Sequence, residues 1–249
     1  MQITKYNASG NDFVIFHTFL QQDRNELAKQ LCHRQKGIGA DGLIVIRPHS
    51  AYDFEWEFYN SDGSDAEMCG NGSRAAAHYA VKNGLAKNEM KFLTIAGVIE
   101  ATVNDDEAEV KLTKPKIVDN LIVAEGMKWN LYDTGVPHLV TFVDDLNIYN
   151  KELAKTMRDT YNANVNFAKI DPQTKTIQVR TYERGVEDET LACGTGMAAC
   201  FYGANLVGDV PDETKVYPTS KEELSLSIRD GFIYFRGKVE EVFTTDVKF

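Results

Sequence analysis

The chain has 249 residues, of which 43% are hydrophobic and 26% are charged, and its 37 acidic and 27 basic side chains give a net charge of −10. This composition is ordinary for a soluble globular protein of one large or two small domains. The acidic balance argues against a nucleic-acid partner, because proteins that bind a phosphate backbone present basic stripes. No stretch approaches the roughly 18 apolar residues of a membrane helix, and the first residues lack an apolar signal segment. We therefore expect no membrane association and a cytoplasmic location.

The first half is predicted to alternate short strands with two helices. One helix follows the second strand, with Asp23 as its cap and the run from Lys36 to Gly39 as its end. Another, at about 72–81, follows a loop that carries Cys69. The predicted strands are 3–6, 13–16, 43–46, 53–59, 92–95, 98–103 and 108–112.

The second half repeats this theme after a boundary at Lys114-Pro115. A helix is predicted near 151–158, and a second cysteine loop, with Cys193, again leads into a helix. The predicted strands are 121–124, 139–143, 165–170, 176–182, 224–228, 232–235 and 239–243. We expect one domain at 1–115 and another at 116–238, with the final strand, about 239–249, returning to the first.

The strands are short, separated by turns and too numerous for a doubly wound parallel sheet. We therefore predict an α+β fold of two similar, pseudo-symmetric domains, each a mostly antiparallel sheet or barrel wrapped around a central helix. The helices that follow Cys69 and Cys193 are expected to point their N-termini into a cleft between the domains, which would form the active site.

A four-residue motif occurs twice, as Cys69-Gly70-Asn71-Gly72 and Cys193-Gly194-Thr195-Gly196, 124 positions apart (193 − 69). Each copy precedes a helix-forming run, so each cysteine is predicted to lie at a helix N-terminus. Exposed N–H groups and the positive end of the helix dipole lower the pKa of a thiol there and attract an anion. Two such thiols on opposite faces of one carbon could remove a proton from one side and return a proton to the other.

The other two cysteines, Cys32 and Cys200, lack this glycine context and are predicted to be packing residues. Four cysteines are too few for a disulfide scaffold in so long a chain, and none form the close pairs of a zinc site. We therefore expect no metal.

Six motifs occur in a fixed order along nearly the whole chain. They are Asn11-Asp12-Phe13, Gly37-Ile38-Gly39-Ala40-Asp41-Gly42, Asn60-Ser61-Asp62-Gly63, Met68-Cys69-Gly70-Asn71-Gly72-Ser73-Arg74, Val136-Pro137-His138 and the run from Glu183-Arg184-Gly185 to Cys193-Gly194-Thr195-Gly196. This ordered set resembles the diaminopimelate epimerase family. The resemblance implies a homodimeric isomerase that interconverts LL- and meso-diaminopimelate for lysine and peptidoglycan synthesis by a two-base mechanism without a cofactor.

The resemblance also implies roles for individual residues. Cys69 and Cys193 would be the two bases, and His138 and Glu183 would set their protonation states. Arg184 would take the distal carboxylate of the substrate, and Glu183 its ammonium. The implied substrate-binding residues are Asn11, Asn60, Gly70, Asn71, Asn166, Glu183, Arg184, Gly194 and Thr195. The choice between Asn164 and Asn166 stays open.

Other interpretations remain at this point. Asn11 and Asn60 are also typical turn formers, and Glu183 and Arg184 could form an ordinary surface ion pair. A racemase of the same fold acting on proline, hydroxyproline or histidine is the alternative enzyme, and a thiol redox or small-molecule-binding protein is the alternative class. Val136 and Gly42 stand where many relatives carry Asn and Gln, so two polar contacts to the substrate could be absent or replaced.

Overall fold

The computed structural model describes residues 1–66 and 68–248. The chain divides into two compact units. The first comprises Met1–Val110 together with the C-terminal segment from Arg236, and the second is Lys111–Phe235. The observed boundary thus lies between Val110 and Lys111, a few residues before the predicted one at 115. Residue 249, the last of the predicted final strand, lies outside the described residues.

The described residues contain four α-helices, a short 3-10 helix and seventeen strands, and no helix among them is long and apolar enough to cross a membrane. The first elements are β1 (Gln2–Ala8), β2 (Asn11–His17), α1 (Asn25–Cys32), β3 (Gly42–Arg47), β4 (Phe54–Asn60), α2 (Gly70–Lys82), β5 (Glu89–Thr94), β6 (Gly97–Asn104) and β7 (Glu107–Lys111). They are followed by β8 (Lys116–Ala124), β9 (Met127–Asp133), β10 (Pro137–Phe142), the 3-10 helix (Leu146–Ile148), α3 (Lys151–Tyr161), β11 (Asn164–Ile170), β12 (Ile177–Glu183), β13 (Asp188–Thr190), α4 (Gly194–Leu206), β14 (Glu213–Tyr217), β15 (Leu224–Arg229), β16 (Phe232–Lys238) and β17 (Glu240–Asp246).

The two units share one order of strand pairing. In the first, β17, β1 and β2 are antiparallel neighbours, β2 pairs parallel with β3, β3 antiparallel with β4, β4 parallel with β5, and β5 antiparallel with β6. In the second, β8, β9 and β10 are antiparallel neighbours, β10 pairs parallel with β11, β11 antiparallel with β12, β12 parallel with β14, and β14 antiparallel with β15. The same series of pairings in both units confirms the predicted α+β fold of two similar halves, each with a mixed sheet.

Each of these parallel strand pairs is joined by a helix, because parallel neighbours need a crossover connection. Helices α1 and α3 make the first crossover of their units, and α2 and α4 make the second. Helix α2 packs against β1, β2, β3 and β6, and α4 against β9 to β12 and β14. Small buried side chains such as Ala76 and Ala199 let these two helices approach the strands closely. This arrangement is the predicted central helix of each half.

The sequence interpretation missed three strands, β9, β13 and β14. In β9 only Trp129 and Tyr132 are buried, three residues apart, so the strand lacks the alternation that predicts a half-buried strand. In β14 the buried pair is Thr214 and Val216, of which one is polar. These strands are held by their neighbours in the sheet rather than marked by their own sequence.

The C-terminus of α1 was also predicted too far along the chain. The helix ends at Cys32 rather than at the run from Lys36 to Gly39. The N–H groups of Ile38 and Gly39 donate to the carbonyl of Leu31, and that of Ala40 donates to Cys32. The following loop therefore folds back and satisfies the last carbonyl groups, which ends the helix earlier.

Candidate functional site

Cys69 and Cys193 are the N-cap residues of α2 and α4, the equivalent central helices of the two units. Both have extended backbone angles, with φ −144° at Cys69 and −118° at Cys193. The carbonyl of Cys69 accepts from the N–H of Ser73 at 2.8 Å, and that of Cys193 accepts from Met197 at 2.9 Å. The prediction that both cysteines lie at helix N-termini is confirmed. The N–H groups of the first two residues of each helix have no carbonyl partner within the helix and can bind an anion beside the sulfur.

Glycines of the two motifs allow side chains of neighbouring strands to lie close to the starts of α2 and α4. A Cβ atom at Gly196 would overlap Oδ1 of Asn166 and lie 3.3 Å from Cε1 of His138. A Cβ atom at Gly72 would lie 3.3 Å from Cδ1 of Ile44, which is a milder contact. The start of α4 therefore rests directly on polar side chains of β10 and β11, and this requires glycine.

An amide oxygen faces the sulfur of Cys69, which is partly exposed. Sγ of Cys69 lies 3.5 Å from Oδ1 of Asn11 and accepts from the N–H of Gly72 at 3.4 Å. Nδ2 of Asn11 donates to Oδ2 of Asp41 at 2.6 Å, which fixes the orientation of the amide. Since a carbonyl oxygen only accepts, Cys69 donates its S–H to Asn11 when it is protonated.

Charged side chains hold the carboxylate of Asp41 in place next to Asn11. Arg34 donates from both terminal nitrogens to Asp12 at 3.0 Å, and its Nη2 also lies 2.7 Å from Oδ1 of Asp41. Lys5 donates to Asp12 at 2.6 Å and to the carbonyl of Gly39. Partial burial raises the pKa of Asp12, but hydrogen bonds from Arg34 and Lys5 outweigh it and lower the pKa to about 2. The carboxylate of Asp12 thus stays ionised and holds Arg34 beside Asp41, which in turn anchors the amide of Asn11.

The sequence interpretation gave Arg34, Lys5 and Asp41 no role. Asp41 lies within one of the motifs that carry the family resemblance, and that was the available signal. Arg34 and Lys5 lie outside every motif, so only their contacts in the folded chain identify them.

A hydroxyl group faces the sulfur of Cys193, which is buried. Oγ1 of Thr195 lies 3.6 Å from this sulfur and 2.9 Å from Nε2 of His138. Thr195 was predicted as a substrate-binding residue. The structure adds the side-chain hydroxyl as a link between His138 and Cys193.

His138 and Asn166 lie on the parallel strands β10 and β11 and are fully buried. Nδ2 of Asn166 lies 3.2 Å from Nδ1 of His138 and donates to the carbonyl of Leu139 at 3.1 Å. Burial, assisted by the positive charge of Arg184, lowers the pKa of His138 to about 3. The imidazole is therefore neutral at physiological pH.

A second cluster of polar side chains lies at the end of β12. Oε2 of Glu183 accepts from the hydroxyl of Thr190 at 2.9 Å. The main-chain N–H of Arg184 donates to Oδ1 of Asn164 at 2.8 Å, and its guanidinium donates to the carbonyl of Asn162 at 2.8 Å. Asn164, rather than Asn166, thus lies beside Arg184.

Asn60 and Asn71 occupy different environments. Asn60 is exposed at the end of β4, and its Nδ2 donates to Oγ of Ser64 at 3.0 Å. Asn71 is buried, and its Oδ1 accepts from Arg74 at 2.8 Å. Arg74 also donates to Oγ of Ser9 at 2.7 Å, so a buried guanidinium stabilises the first turn of α2.

Gly42, which was interpreted from the sequence as a departure from the family pattern, has no room for a side chain. A Cβ atom there would lie 2.6 Å from the ring of Phe58 and 2.8 Å from the carbonyl oxygen of Tyr59. The ring of Phe58 occupies the space that a longer side chain at this position would need.

Cys32 and Cys200 are buried packing residues, as predicted. Burial raises the pKa of Cys32 to about 12 and also raises the pKa of Cys200, so both stay protonated. Among the residues that the structure describes, no cluster of three or more His, Cys, Asp or Glu side chains could hold a metal ion.

Comparison with known proteins gives three findings. The sequence matches the family model described as diaminopimelate epimerase over residues 3–118 and 131–242. A diaminopimelate epimerase of a Nitratiruptor species is 62% identical over 245 residues, 98% of each chain, and one of Campylobacter lari is 55% identical over 249 residues, all of both chains. A probable proline racemase from Agrobacterium radiobacter has a similar structure, with a TM-score of 0.78 at 14% identity over 99% of this chain and 92% of that chain. At such low identity the structural likeness concerns the fold alone.

Proposed function

Because the chain belongs to the diaminopimelate epimerase family, we propose that Cys69 and Cys193 are the two acid–base groups of its reaction. The protein is an isomerase that interconverts LL- and meso-diaminopimelate, a step of lysine and peptidoglycan biosynthesis. A racemase of another amino acid is not favoured, because the full-length relatives at 62% and 55% identity are diaminopimelate epimerases.

One observation carries the proposal. Each unit presents a cysteine as the N-cap of its central helix, at the same point in the same order of strands. An epimerase that uses two bases needs one group to remove the α-proton and another to protonate the opposite face. Two equivalent thiols, one from each repeat, supply such a pair.

The proposed reaction is a proton transfer at each sulfur. The thiolate of one cysteine takes the α-proton, the electron pair of the C–H bond passes into the α-carboxylate, and the thiol of the other cysteine donates its proton to the opposite face. Main-chain N–H groups of Gly70, Asn71, Gly194 and Thr195 hold the negative charge that builds up on the carboxylate. Losing one such donor costs on the order of a hundredfold to a thousandfold in rate. The reaction as proposed uses only the chain's own thiols and main-chain amides.

Specificity comes from the distal aminocarboxylate of diaminopimelate, which does not react. We assign its carboxylate to Arg184 and its ammonium to Glu183, with further contacts from Asn11 and Asn60. Between the two candidate asparagines we assign the substrate contact to Asn164. Its Nδ2 donates to the carbonyl of Pro137 at 3.2 Å and retains a second hydrogen, and its neighbour is Arg184.

The test is turnover in deuterated water with each cysteine replaced by alanine. With the wild-type enzyme we expect deuterium at the α-carbon of the product, while substrate that has not yet reacted keeps its protium. Cys69→Ala and Cys193→Ala should each lose epimerisation by at least about a hundredfold, because a positioned acid or base contributes that much or more. Cys32→Ala is the matched control and should stay active.

Two results would contradict the proposal. One is an alanine variant at Cys69 or Cys193 that keeps wild-type turnover. The other is product that retains the substrate's own α-hydrogen, which indicates a single base. Faster exchange into proline than into diaminopimelate would favour the alternative racemase.

We also propose that the enzyme is a cytoplasmic homodimer, which the family resemblance supports. Analytical ultracentrifugation at micromolar concentration should give the mass of two chains. A monomer at that concentration with full activity would argue against the dimer.

A further inference from the structure

The side-chain amide of Asn166 has its orientation set by partners on both sides. The carbonyl oxygen of Leu139 lies 3.1 Å from Nδ2, and the hydroxyl of Thr181 donates to Oδ1 at 2.9 Å. A carbonyl oxygen only accepts, so the atom that faces Leu139 must be the nitrogen. The flipped amide would place two acceptors against each other in a fully buried site, which is costly.

This orientation determines which nitrogen of His138 carries a proton. One hydrogen of Nδ2 goes to Leu139, and the other points at Nδ1 of His138, 3.2 Å away. Nδ1 therefore accepts and is unprotonated. A neutral imidazole has one N–H, which must lie at Nε2.

The protonated Nε2 in turn orients the hydroxyl of Thr195. Nε2 of His138 donates to Oγ1 of Thr195 at 2.9 Å, so the hydroxyl proton must point elsewhere. The sulfur of Cys193 lies 3.6 Å from this oxygen and can accept it. A hydrogen bond donated to sulfur favours the thiolate.

We infer that Asn166 is a positioning residue that fixes the tautomer of His138 and so directs the hydroxyl proton of Thr195 at the sulfur of Cys193. This inference rests on the proposed role of Cys193 as a base. It gives Asn166 a role different from substrate binding, because both hydrogens of its amide are used inside the protein.

The charged and titratable residues around His138 are consistent with a series of hydrogen bonds from Asn166 through His138 to Thr195 in which all three side chains are neutral. Burial disfavours a second proton on His138, as does the charge of Arg184, and together they outweigh the contact with Asn166, which raises the pKa of the imidazole. Tyr132 is the partner of His138 in the β9–β10 register, and burial raises its pKa to about 12, so it stays neutral. His138 thus acts on Cys193 through Thr195 as a donor, without taking up a proton itself.

The first experiment needs no variant. Nitrogen-15 NMR of wild-type protein labelled at its five histidines reports the tautomer of each neutral ring. A His138→Gln spectrum assigns the signal of His138. We expect protonated Nε2 and unprotonated Nδ1 from about pH 5 to pH 9, well above the lowered pKa. A proton on Nδ1, or a cationic ring in this range, would overturn the inference.

The second experiment is the substitution Asn166→Asp. The introduced carboxylate keeps the acceptor for Thr181 but cannot donate to Nδ1 of His138. The neutral ring should then carry its proton on Nδ1, which donates to the carboxylate, so that Nε2 becomes an acceptor and the hydroxyl of Thr195 turns from Cys193 to His138. The nitrogen-15 spectrum of the variant, which distinguishes this neutral ring from a cationic one that keeps its donor at Nε2, is recorded before the kinetics are compared. We expect kcat to fall by about 10- to 100-fold, since a hydrogen bond to a charged group is lost. The rise of activity with pH should move to higher pH, with KM changed less than about threefold.

Asn104→Asp is the matched control, because it makes the same chemical change at an exposed strand end. It should keep the wild-type kcat and pH profile. If Asn166→Asp instead raises KM by the factor expected for kcat and leaves kcat unchanged, Asn166 binds substrate and the positioning role is wrong. An active Cys193→Ala variant with the expected tautomer would instead contradict the proposed function.

Discussion

Oδ1 of Asn11 lies 3.5 Å from Sγ of Cys69, whereas the group that faces the sulfur of Cys193 is the hydroxyl of Thr195. The first is an acceptor held in place by Asp41, and the second is a donor oriented by His138. The two equivalent helix termini therefore present unlike side chains to their sulfurs. The pseudo-symmetric fold thus gives the two cysteines different environments, which suits the proposed reaction, in which one cysteine is a thiol while the other is a thiolate.

The orientation of the Asn11 amide depends on Asp41. The substitution Asp41→Asn should therefore disturb the position of the Asn11 side chain, although Asn11 itself is unchanged. Arg34 and Asn11 both donate to Asp41 and would compete for one remaining oxygen. We expect kcat/KM to fall by about tenfold, since hydrogen bonds to a charged group contribute about 1.5–3 kcal/mol. Asp209→Asn, an exposed position, is the control for the loss of one charge and should behave as wild type. Unchanged steady-state kinetics in Asp41→Asn would show that the anchor is dispensable.

The two motif glycines are expected to differ in their tolerance of alanine. Gly196→Ala places a methyl group against Asn166 and His138, whereas Gly72→Ala meets Ile44 at 3.3 Å. Overpacking should lower the unfolding free energy of Gly196→Ala by about 1–3 kcal/mol, with a smaller effect for Gly72→Ala. Urea unfolding of both variants beside the wild type measures the difference. Equal stability of the two variants would mean that the buried network can yield to the new methyl group.

Replacing Gly42 by glutamine, the residue that the family resemblance led us to expect there, should not be tolerated. A Cβ atom there meets both the ring of Phe58 and the main-chain oxygen of Tyr59. The ring can rotate but the strand backbone cannot move away without breaking the β3–β4 pairing. We expect Gly42→Gln to lower the unfolding free energy by about 1–3 kcal/mol. A thermal melt equal to that of the wild type, with faster turnover, would contradict this expectation.

Burial of neutral His138 predicts a loss of stability in acid. Its pKa is about 3 in the folded chain, against about 6.5 when unfolded. Between these values the unfolded chain binds more protons, so the unfolding free energy falls as pH falls, by at most about 1.4 kcal/mol per pH unit from this residue. The contribution of neutral His138 to the unfolding free energy is complete above about pH 6.5 and is lost as the pH falls towards 3.

His138→Gln removes this titration and is the comparison for that prediction. The unfolding free energy from urea titrations between about pH 6 and pH 4 should fall less steeply in the variant than in the wild type. Parallel slopes would indicate that His138 is not buried as a neutral ring in solution.

Much of the fold could be predicted from the sequence. The repeated glycine motif placed both cysteines at helix N-termini, and alternation marked strands such as β4, in which Phe54, Trp56 and Phe58 are buried. These are local signals, because a helix cap or an alternating strand is set by residues a few positions apart. Strands such as β9 lacked a local signal and were missed. The same limit explains why the loop after Cys32, which folds back on α1, was interpreted as part of the helix.

What the sequence determined by itself is the chemistry available: two thiols in equivalent motifs, the glycines that let each helix begin beside them, and the repeat of an α+β unit. The tertiary structure decided which polar side chain serves which sulfur. His138 and Asn166 meet because β10 and β11 pair in parallel, in a register that sets Val140 opposite Asn166, and Arg34 reaches Asp41 and Asp12 across a loop. Contacts between distant residues depend on strand register and chain packing, which short sequence patterns do not encode.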